Sequence, residues 1–319
     1  MFVLSVEPFW GRAILKDTSN GAETVFDTAT VYSNDLPDAF NESMDLFKDL
    51  KSALPVPADE LVATVIEVSA SQSEAVRDSL VEAAADNSFG AISLVEFETT
   101  SRFLYALDQL PLTKKTPTGA SVAVIDAWST EAFGFILQAV SENVFKPIAY
   151  AAIIADDDVP LDPLMLSKLR ARLYSQIGTF PSEVIISTED HANLCRDVFA
   201  SESIHFYDAD ERRGSLLKAM SLVNQNRFVV VPTFEAQLKA VIGDLEFAIL
   251  DNAFSELPLK VTQNICLPAN ANQVEIHACT SDWALFDVLE VQSSPVPTQV
   301  TLCCAIDVDG KCDVYLESL

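Results

Sequence analysis

The sequence has little basic charge. Only 20 Lys and Arg residues stand against 47 Asp and Glu residues in a chain of 319, which gives a net charge of −27 at pH 7. An acidic excess of this size repels nucleic acid and anionic membrane surfaces. It therefore excludes those two binding classes and favours a soluble globular protein, whose protein partners we expect to be basic.

Paired cysteines and long apolar runs are also missing. The six cysteines include no C-x-x-C pair, and the adjacent Cys303 and Cys304 would point to opposite faces of a strand. This is typical of reduced cysteine in a cytosolic compartment rather than of a disulfide framework or a zinc site. No apolar run approaches the length of a membrane span. The first residues turn acidic at Glu7, which is too soon for a signal peptide, so we predict a cytoplasmic protein.

Catalytic and metal-binding motifs are absent as well. The chain contains no G-x-S-x-G, H-E-x-x-H, Walker-type loop or G-x-G-x-x-G. The three histidines, His191, His205 and His277, lie far apart, and none stands at ligand spacing from a cysteine or carboxylate. The run Asp156–Asp158 could bind a cation, although a solvated turn is favoured. We predict no catalytic residue, no metal site and no cofactor.

The chain divides into two regions of different character. Up to about residue 225, apolar strands alternate with helical patterns, for example Leu61–Val68, a helix opened by a Ser71–Glu74 capping box, and Gly90–Val95. This rhythm favours an α/β domain with covered sheets. From Phe228–Val231 onwards only short β runs follow, which is typical of a small sandwich. We place the domains at residues 1–227 and 228–319.

The last segment resembles a known family. Residues 300–316 read as a strand, an Asp309-Gly310 turn and a second strand, with the pattern I-D-x-D-G-x-x-x-V. This is similar to the last hairpin of the peptide-binding domain in the seventy-kilodalton heat-shock chaperones. Further similar segments occur in the same order as in that family: Ser71–Ser79, Thr99–Asp108, Val122–Asp126, Leu257–Gln263 and Val274–Ala278.

This resemblance implies a fold. Residues 1–227 would form an actin-like (ribonuclease-H-like) two-lobed core that lacks the outer subdomains, because the stretches before Leu61 and between Val140 and Glu183 are far shorter than in the family. Residues 228–319 would form the β-sandwich of the substrate-binding domain without its helical lid. The fold class is therefore α/β followed by all-β.

The phosphate loops of that family are degenerate in this chain. An actin-like ATPase needs glycines that let backbone N–H groups approach phosphate, and acidic residues that hold Mg²⁺ through water. The family's D-L-G-T-T becomes 5-SVEPF-9, its D-L-G-G-G-T becomes 126-DAWSTE-131, and its Gly-Gly becomes 187-ST-188. The degenerate positions are Ser5, Glu7, Pro8, Asp126, Trp128, Ser129 and Ser187.

These changes predict a pseudo-ATPase. We expect Trp10 and Trp128 partly to fill the vacated nucleotide cleft, with ordinary core packing as the alternative. The surviving Asp126 also has a plain interpretation as a turn residue at the end of a strand. In the β-domain, the resemblance suggests peptide or partner binding by Leu245, Phe247, Ala271 and Trp283, and again ordinary core or loop residues are the alternative.

Three functions follow from these observations. The first is a noncatalytic, heat-shock-chaperone-like scaffold or co-chaperone subunit, whose partner would be a J-domain protein, a ribosomal component or another basic protein. The second is an ATP-independent holdase that binds peptide in the β-domain. The third is a divergent ATP-dependent chaperone, against which Glu7 and Trp128 speak.

Overall fold

The structure is a computed structural model that describes residues 1–31, 36–69, 72–96, 100–111, 116–155, 159–188, 191–207, 213–234, 237–251, 255–279, 283–307 and 312–318. The predicted Asp309-Gly310 turn, the acidic run Asp156–Asp158 and Ser71 lie outside the described residues, as does the side chain of Trp283. Among the described helices, none combines the length and the apolar character that crossing a membrane requires.

A first mixed sheet is formed by the amino-terminal residues. Its strands are β1 (Phe2–Glu7), β2 (Arg12–Asp17), β3 (Glu23–Asp27), β4 (Leu61–Val68) and β5 (Ile92–Glu96), and its helices are α1 (Leu36–Ala53) and α2 (Glu74–Asp86). The strand order is β3-β2-β1-β4-β5, in which β1, β4 and β5 are parallel and β2 and β3 are antiparallel. Leu4 and Ile66 share a buried core with Phe47 of α1 and Leu80 of α2.

A second sheet repeats this plan. Its elements are α3 (Arg102–Asp108), β6 (Ser121–Ala127), β7 (Glu131–Ser141), β8 (Val144–Ile154), α4 (Pro163–Ile177), β9 (Glu183–Thr188), α5 (Ala192–Val198), β10 (Ser203–Tyr207), α6 (Gly214–Leu222) and β11 (Val229–Val230). The order is β10-β9-β6-β7-β8-β11. Counted from the first strand of each sheet, and leaving aside β11, which pairs outside β8, both run third-second-first-fourth-fifth. This duplicated ribonuclease-H-like plan is the actin-like fold, so that prediction is confirmed.

Local sequence explains why these elements form. The parallel strands β4 and β6 are buried over nearly their whole length, which is why they read as continuous apolar runs. Asp162 caps α4 by accepting a 2.7 Å hydrogen bond from the Met165 N–H, and Gly178 ends the helix in a left-handed conformation. The N-cap of α2 is Ser73 rather than the predicted Ser71, since its side chain accepts from the Val76 N–H and the helix starts at Glu74.

The carboxyl-terminal residues form a β-sandwich. Its strands are β12 (Thr233–Phe234), β13 (Gln237–Ile242), β14 (Leu245–Leu250), β15 (Ser255–Glu256), β16 (Leu259–Leu267), β17 (Gln273–Cys279), β18 (Trp283–Glu290), β19 (Thr298–Ile306) and β20 (Cys312–Ser318). A four-stranded sheet, β14-β13-β17-β18, and a three-stranded sheet, β16-β19-β20, enclose one core, to which Leu238 and Ile276 contribute from one side and Leu302 from the other.

By Cα proximity the chain separates into two compact units. One comprises Met1–Thr99, Lys218–Gln225 and Pro232–Leu319, and the other comprises Thr100–Leu217 and Asn226–Val231. The predicted strand Phe228–Val231 is present as β11, but it pairs in parallel with β8 of the second sheet instead of joining the sandwich. The division at residues 227 and 228 stays a prediction.

Candidate functional site

Three polar side chains form a row at the carboxyl ends of parallel strands in the second sheet. Asp126 of β6 is the register partner of Ser187 on β9, and Ser187 is the partner of Tyr207 on β10. All three side chains are buried. In open α/β sheets, ligands bind at this edge. The row therefore occupies the place where a polar ligand site is expected.

The charge of Asp126 is neutralised from within the same unit. Arg102, the first residue of α3, places a guanidinium nitrogen 2.5 Å from one Asp126 carboxylate oxygen. The hydroxyl of Tyr207 donates to the other oxygen at 2.7 Å. Each oxygen of the carboxylate thus has a protein partner, and the guanidinium balances the negative charge that would otherwise attract a metal ion.

Tyr207 stays protonated in this environment. Burial, together with the negative charge of Asp126, raises the pKa of Tyr207 well above its ordinary value, and the positive charge of Arg102 offsets only part of this effect. The row therefore brings an acid, an arginine and a phenol together in one charge-balanced group, with Ser187 as the register partner of the tyrosine.

The turn that follows Asp126 contains no glycine. The Trp128 N–H donates to the Glu131 carbonyl at 2.8 Å, and the carbonyl of Ser129 accepts from the Leu161 N–H at 3.0 Å. A phosphate cradle needs backbone N–H groups that point at the ligand. The Trp128 N–H is already bonded within the turn, and side chains stand where the chaperone family has glycines. This turn therefore has fewer backbone N–H groups that could bind a polyphosphate than the loop of that family.

The first sheet also contains a buried acid that is paired with an arginine. Glu7, at the end of β1, is 0% exposed, and its carboxylate lies 3.2 Å from Nε of Arg12 on β2. Pro8 opens a short 3-10 turn, Pro8–Trp10, which Gly11 ends in a left-handed conformation. The carbonyl of Pro8 accepts from both Gly11 and Val31. Ser5 is buried on the same strand. At two of the three degenerate phosphate-loop positions, therefore, a buried carboxylate is paired with an arginine.

The two tryptophans lie in different environments. Trp10 keeps 41% of its surface exposed and packs edge-on against Phe9, which is itself 47% exposed. Trp128 is half-buried. That they fill a vacated cleft stays a prediction.

The candidate binding residues of the sandwich fall into different environments. Leu245 is 47% exposed, next to the Gly243-Asp244 turn. Phe247 and Ala271 are half-buried and pack against the sandwich core, in agreement with the plainer alternative. The side chain of Trp283 lies outside the described residues. Peptide binding by these residues stays a prediction.

Two histidines pair with carboxylates, which the sequence had not indicated. His205 lies 2.9 Å from Glu183 across neighbouring strands, and His277 lies 3.0 Å from Glu275 on the same strand. In the part of the chain that the structure describes, no group of three His, Cys, Asp or Glu side chains could hold a metal ion. These histidines form isolated pairs rather than a ligand set.

The residues that sequence reasoning missed are the partners of the predicted ones. Arg102, Arg12 and Tyr207 supply the charges and the hydroxyl that complete both sites. One signal was available: Arg102 precedes Phe103–Leu107, five residues that are all buried, so it begins a helix with little exposed surface.

The duplicated sheet defines an actin-like fold, and each of its two sheets carries a buried carboxylate paired with an arginine. No family model and no curated protein matches the chain. Among solved structures, the chain is similar to apo ParM of pSK41, with 11% identity over 70% of this chain and 98% of that one and a TM-score of 0.42.

A non-polymerising MamK mutant bound to AMPPNP gives 12% identity, 68% and 98% coverage and a TM-score of 0.42. The ethanolamine utilization protein EutJ from Carboxydothermus hydrogenoformans gives 9% identity, 67% and 87% coverage and a TM-score of 0.38. These are likenesses of fold, and the fold assignment rests on the strand order. Nothing in them is specific to heat-shock chaperones, so that relationship stays a prediction.

Proposed function

We propose that the protein is a noncatalytic actin-like protein, a pseudo-ATPase that acts as a cytoplasmic scaffold or co-chaperone subunit through protein–protein contacts. The observation that carries this proposal is the pairing of Asp126 with Arg102 and Tyr207. The Arg102 guanidinium already balances the charge of Asp126, so this acid attracts a metal–nucleotide complex less than an unpaired carboxylate would.

The first sheet supports the same proposal. Glu7 stands where the resemblance places a glycine, so a side chain replaces the hydrogen that lets phosphate approach the backbone closely. The acidic composition, with a net charge of −27, suits a basic partner such as a ribosomal component. A J-domain protein is the other partner suggested by the resemblance to the chaperones.

Titration calorimetry with Mg·ATP and Mg·ADP tests the proposal. We expect no saturable heat up to about 1 mM nucleotide, a concentration that corresponds to a binding free energy of about −4 kcal/mol. Phosphate release should stay at the level of a protein-free control. ATP turnover that is lost in Asp126→Asn, but kept in the matched variant Asp313→Asn on the exposed side of β20, would contradict it and favour a divergent ATP-dependent chaperone.

A second function, ATP-independent peptide binding by the sandwich, is favoured by the exposure of Leu245. Titration of a fluorescent apolar peptide distinguishes it from the first. If the sandwich is a holdase, binding saturates and is weakened by Leu245→Ser. The scaffold proposal expects no saturable binding of such a peptide.

A further inference from the structure

The outermost strand of the first sheet, β3, presents an unusually open edge. It is last in the order β3-β2-β1-β4-β5, and four of its five residues are exposed, with Val25 at 59%. Its sequence, Glu-Thr-Val-Phe-Asp, contains no proline or lysine, and its register with β2 contains no bulge. Proline, lysine and bulges are three of the devices by which edge strands avoid pairing with another chain, and the charges that β3 does carry, Glu23 and Asp27, are both acidic.

The hydrogen-bond pattern shows which backbone groups face outward. The Asp17 N–H donates to Ala22, and the Thr28 N–H donates to Gly11, one at each end of the β2–β3 ladder. Hydrogen-bonded pairs alternate along an antiparallel ladder. The bonded residues of β3 are therefore Thr24 and Phe26. The N–H and C=O groups of Val25 and Asp27 point away from β2, toward the outer side.

The side chains beside this edge specify what would pair with it. Glu23, Val25 and Asp27 lie on one face, in register with Lys16, Ile14 and Arg12 of β2, and Lys16 lies 2.7 Å from Glu23. On its inner side, β3 is thus matched by a basic, an aliphatic and a basic residue at alternate positions. A strand added on the outer side meets the same acidic, aliphatic and acidic row, and opposite charges across strands are favourable.

A second copy of the chain does not fit this edge. Antiparallel pairing of two β3 strands centred on Val25 would set Glu23 opposite Asp27, and like charges directly opposite each other are destabilising. The net charge of −27 adds repulsion between copies. The edge therefore favours a different, basic partner.

We propose that β3 is a docking edge, which adds an extended segment of a protein partner with the pattern basic-x-aliphatic-x-basic as a further strand. Main-chain hydrogen bonds to Val25 and Asp27 would hold the segment, and alternate side chains would select it. This docking edge is a surface through which the proposed scaffold would bind its partner, so it rests on the proposed scaffold function. It does not depend on whether the nucleotide site is active.

Fluorescence anisotropy with a labelled peptide tests it on the full chain. The probe carries Arg-Ala-Ile-Leu-Lys, the sequence of β2 residues 12–16, between flexible ends. We expect saturable binding below about 1 mM. A peptide with Glu at both basic positions, and one with N-methylated backbone at the pairing residues, should bind at least about tenfold more weakly.

Variants of β3 separate strand addition from general charge attraction. Val25→Pro removes an outward N–H without removing a bond to β2 and should weaken binding about tenfold or more, whereas Val25→Thr should stay within about threefold. Asp27→Lys should weaken binding of the basic peptide and strengthen binding of the acidic one. Absence of saturation, or equal binding by Val25→Pro and wild type, overturns the proposal.

Hydrogen exchange on the wild type provides a readout that does not depend on how the variants fold. Added peptide should slow exchange of the Val25 and Asp27 amides. Unchanged exchange at both, at saturating peptide, also overturns the proposal. Because the calorimetric experiment reads nucleotide and this one reads peptide, failure of the pseudo-ATPase proposal and failure of the docking edge are distinguishable.

Discussion

At the scale of single residues, the acid near the end of β6 is paired within the protein. Arg102 and Tyr207 contact the two oxygens of Asp126, and the nucleotide-site role that the resemblance implies for this acid stays a prediction. With an arginine 2.5 Å away, the buried charge of this acid is compensated within the protein.

Arg102→Met should destabilise the protein by about 3–5 kcal/mol, because it leaves Asp126 buried without its counter-charge. Asp126→Asn in the same chain should recover part of this loss, so the double variant is more stable than the sum of the two single changes. Chemical denaturation measures all three free energies of unfolding. Arg196→Met, at an exposed arginine that lies over Phe206, is the control and should cost about 0.5–1 kcal/mol. An additive double variant would contradict the pairing.

Tyr207 gives a pH dependence of defined sign. Its folded-state pKa is raised, so the folded protein holds this proton more tightly than the unfolded chain, whose tyrosines titrate near pH 10. The corresponding stability is fully present below about pH 10 and is lost as the pH rises from there toward the folded-state pKa.

Absorbance titration of the native protein, which contains six tyrosines, should show one that resists ionisation until unfolding. In Tyr207→Phe the resistant tyrosine should be absent, and the loss of stability above about pH 10 should be smaller than in the wild type. Six tyrosines that titrate together near pH 10 in the folded protein would contradict this assignment.

At the scale of elements, α6 begins against the chain that leads into α3. A Cβ placed on Gly214 would lie 1.9 Å from the carbonyl oxygen of Ser101, which is backbone and cannot turn aside. Only hydrogen at this Cα permits the approach. Neither segment's sequence pattern indicates it, because the close contact depends on how the two helices are placed.

Gly214→Ala should therefore destabilise the protein by about 1–3 kcal/mol or more, the usual cost of overpacking. Gly90→Ala is a matched control, since a Cβ there would lie 3.9 Å from the carbonyl oxygen of Leu61, an ordinary contact distance. Denaturation of both variants measures the difference. Equal free energies of unfolding for the two would show that the α6 start can move away at no cost.

At the scale of the whole molecule, sequence and structure agree where the pattern is local. Leu61–Val68 was predicted as a buried strand and is one, because a strand covered on both faces needs apolar residues at successive positions. The actin-like fold was predicted from family-like segments that occur in the expected order along the chain. The join of β11 to β8 was missed, because two valines pair equally well with any exposed strand edge.

The site was predicted only in part for a related reason. Ser5, Glu7, Asp126 and Ser187 could be found by their places in a known pattern. Arg102 and Tyr207 could not, because both contact Asp126 from far away in the sequence. Arg102 lies 24 positions before it and Tyr207 lies 81 positions after it. The register of the sheet brings such partners together, and a single sequence does not reveal that register.

The alignment of β6, β9 and β10 has a consequence for how the chain reaches its native state. Shifting a strand by one residue exchanges its two faces. A slipped β6 would turn Asp126 toward the aliphatic side chains that Ile125 and Ala127 now meet beneath α4, away from its guanidinium and phenol. The buried acid therefore disfavours a shifted β6, since the native register is the one that pairs its carboxylate with Arg102 and Tyr207.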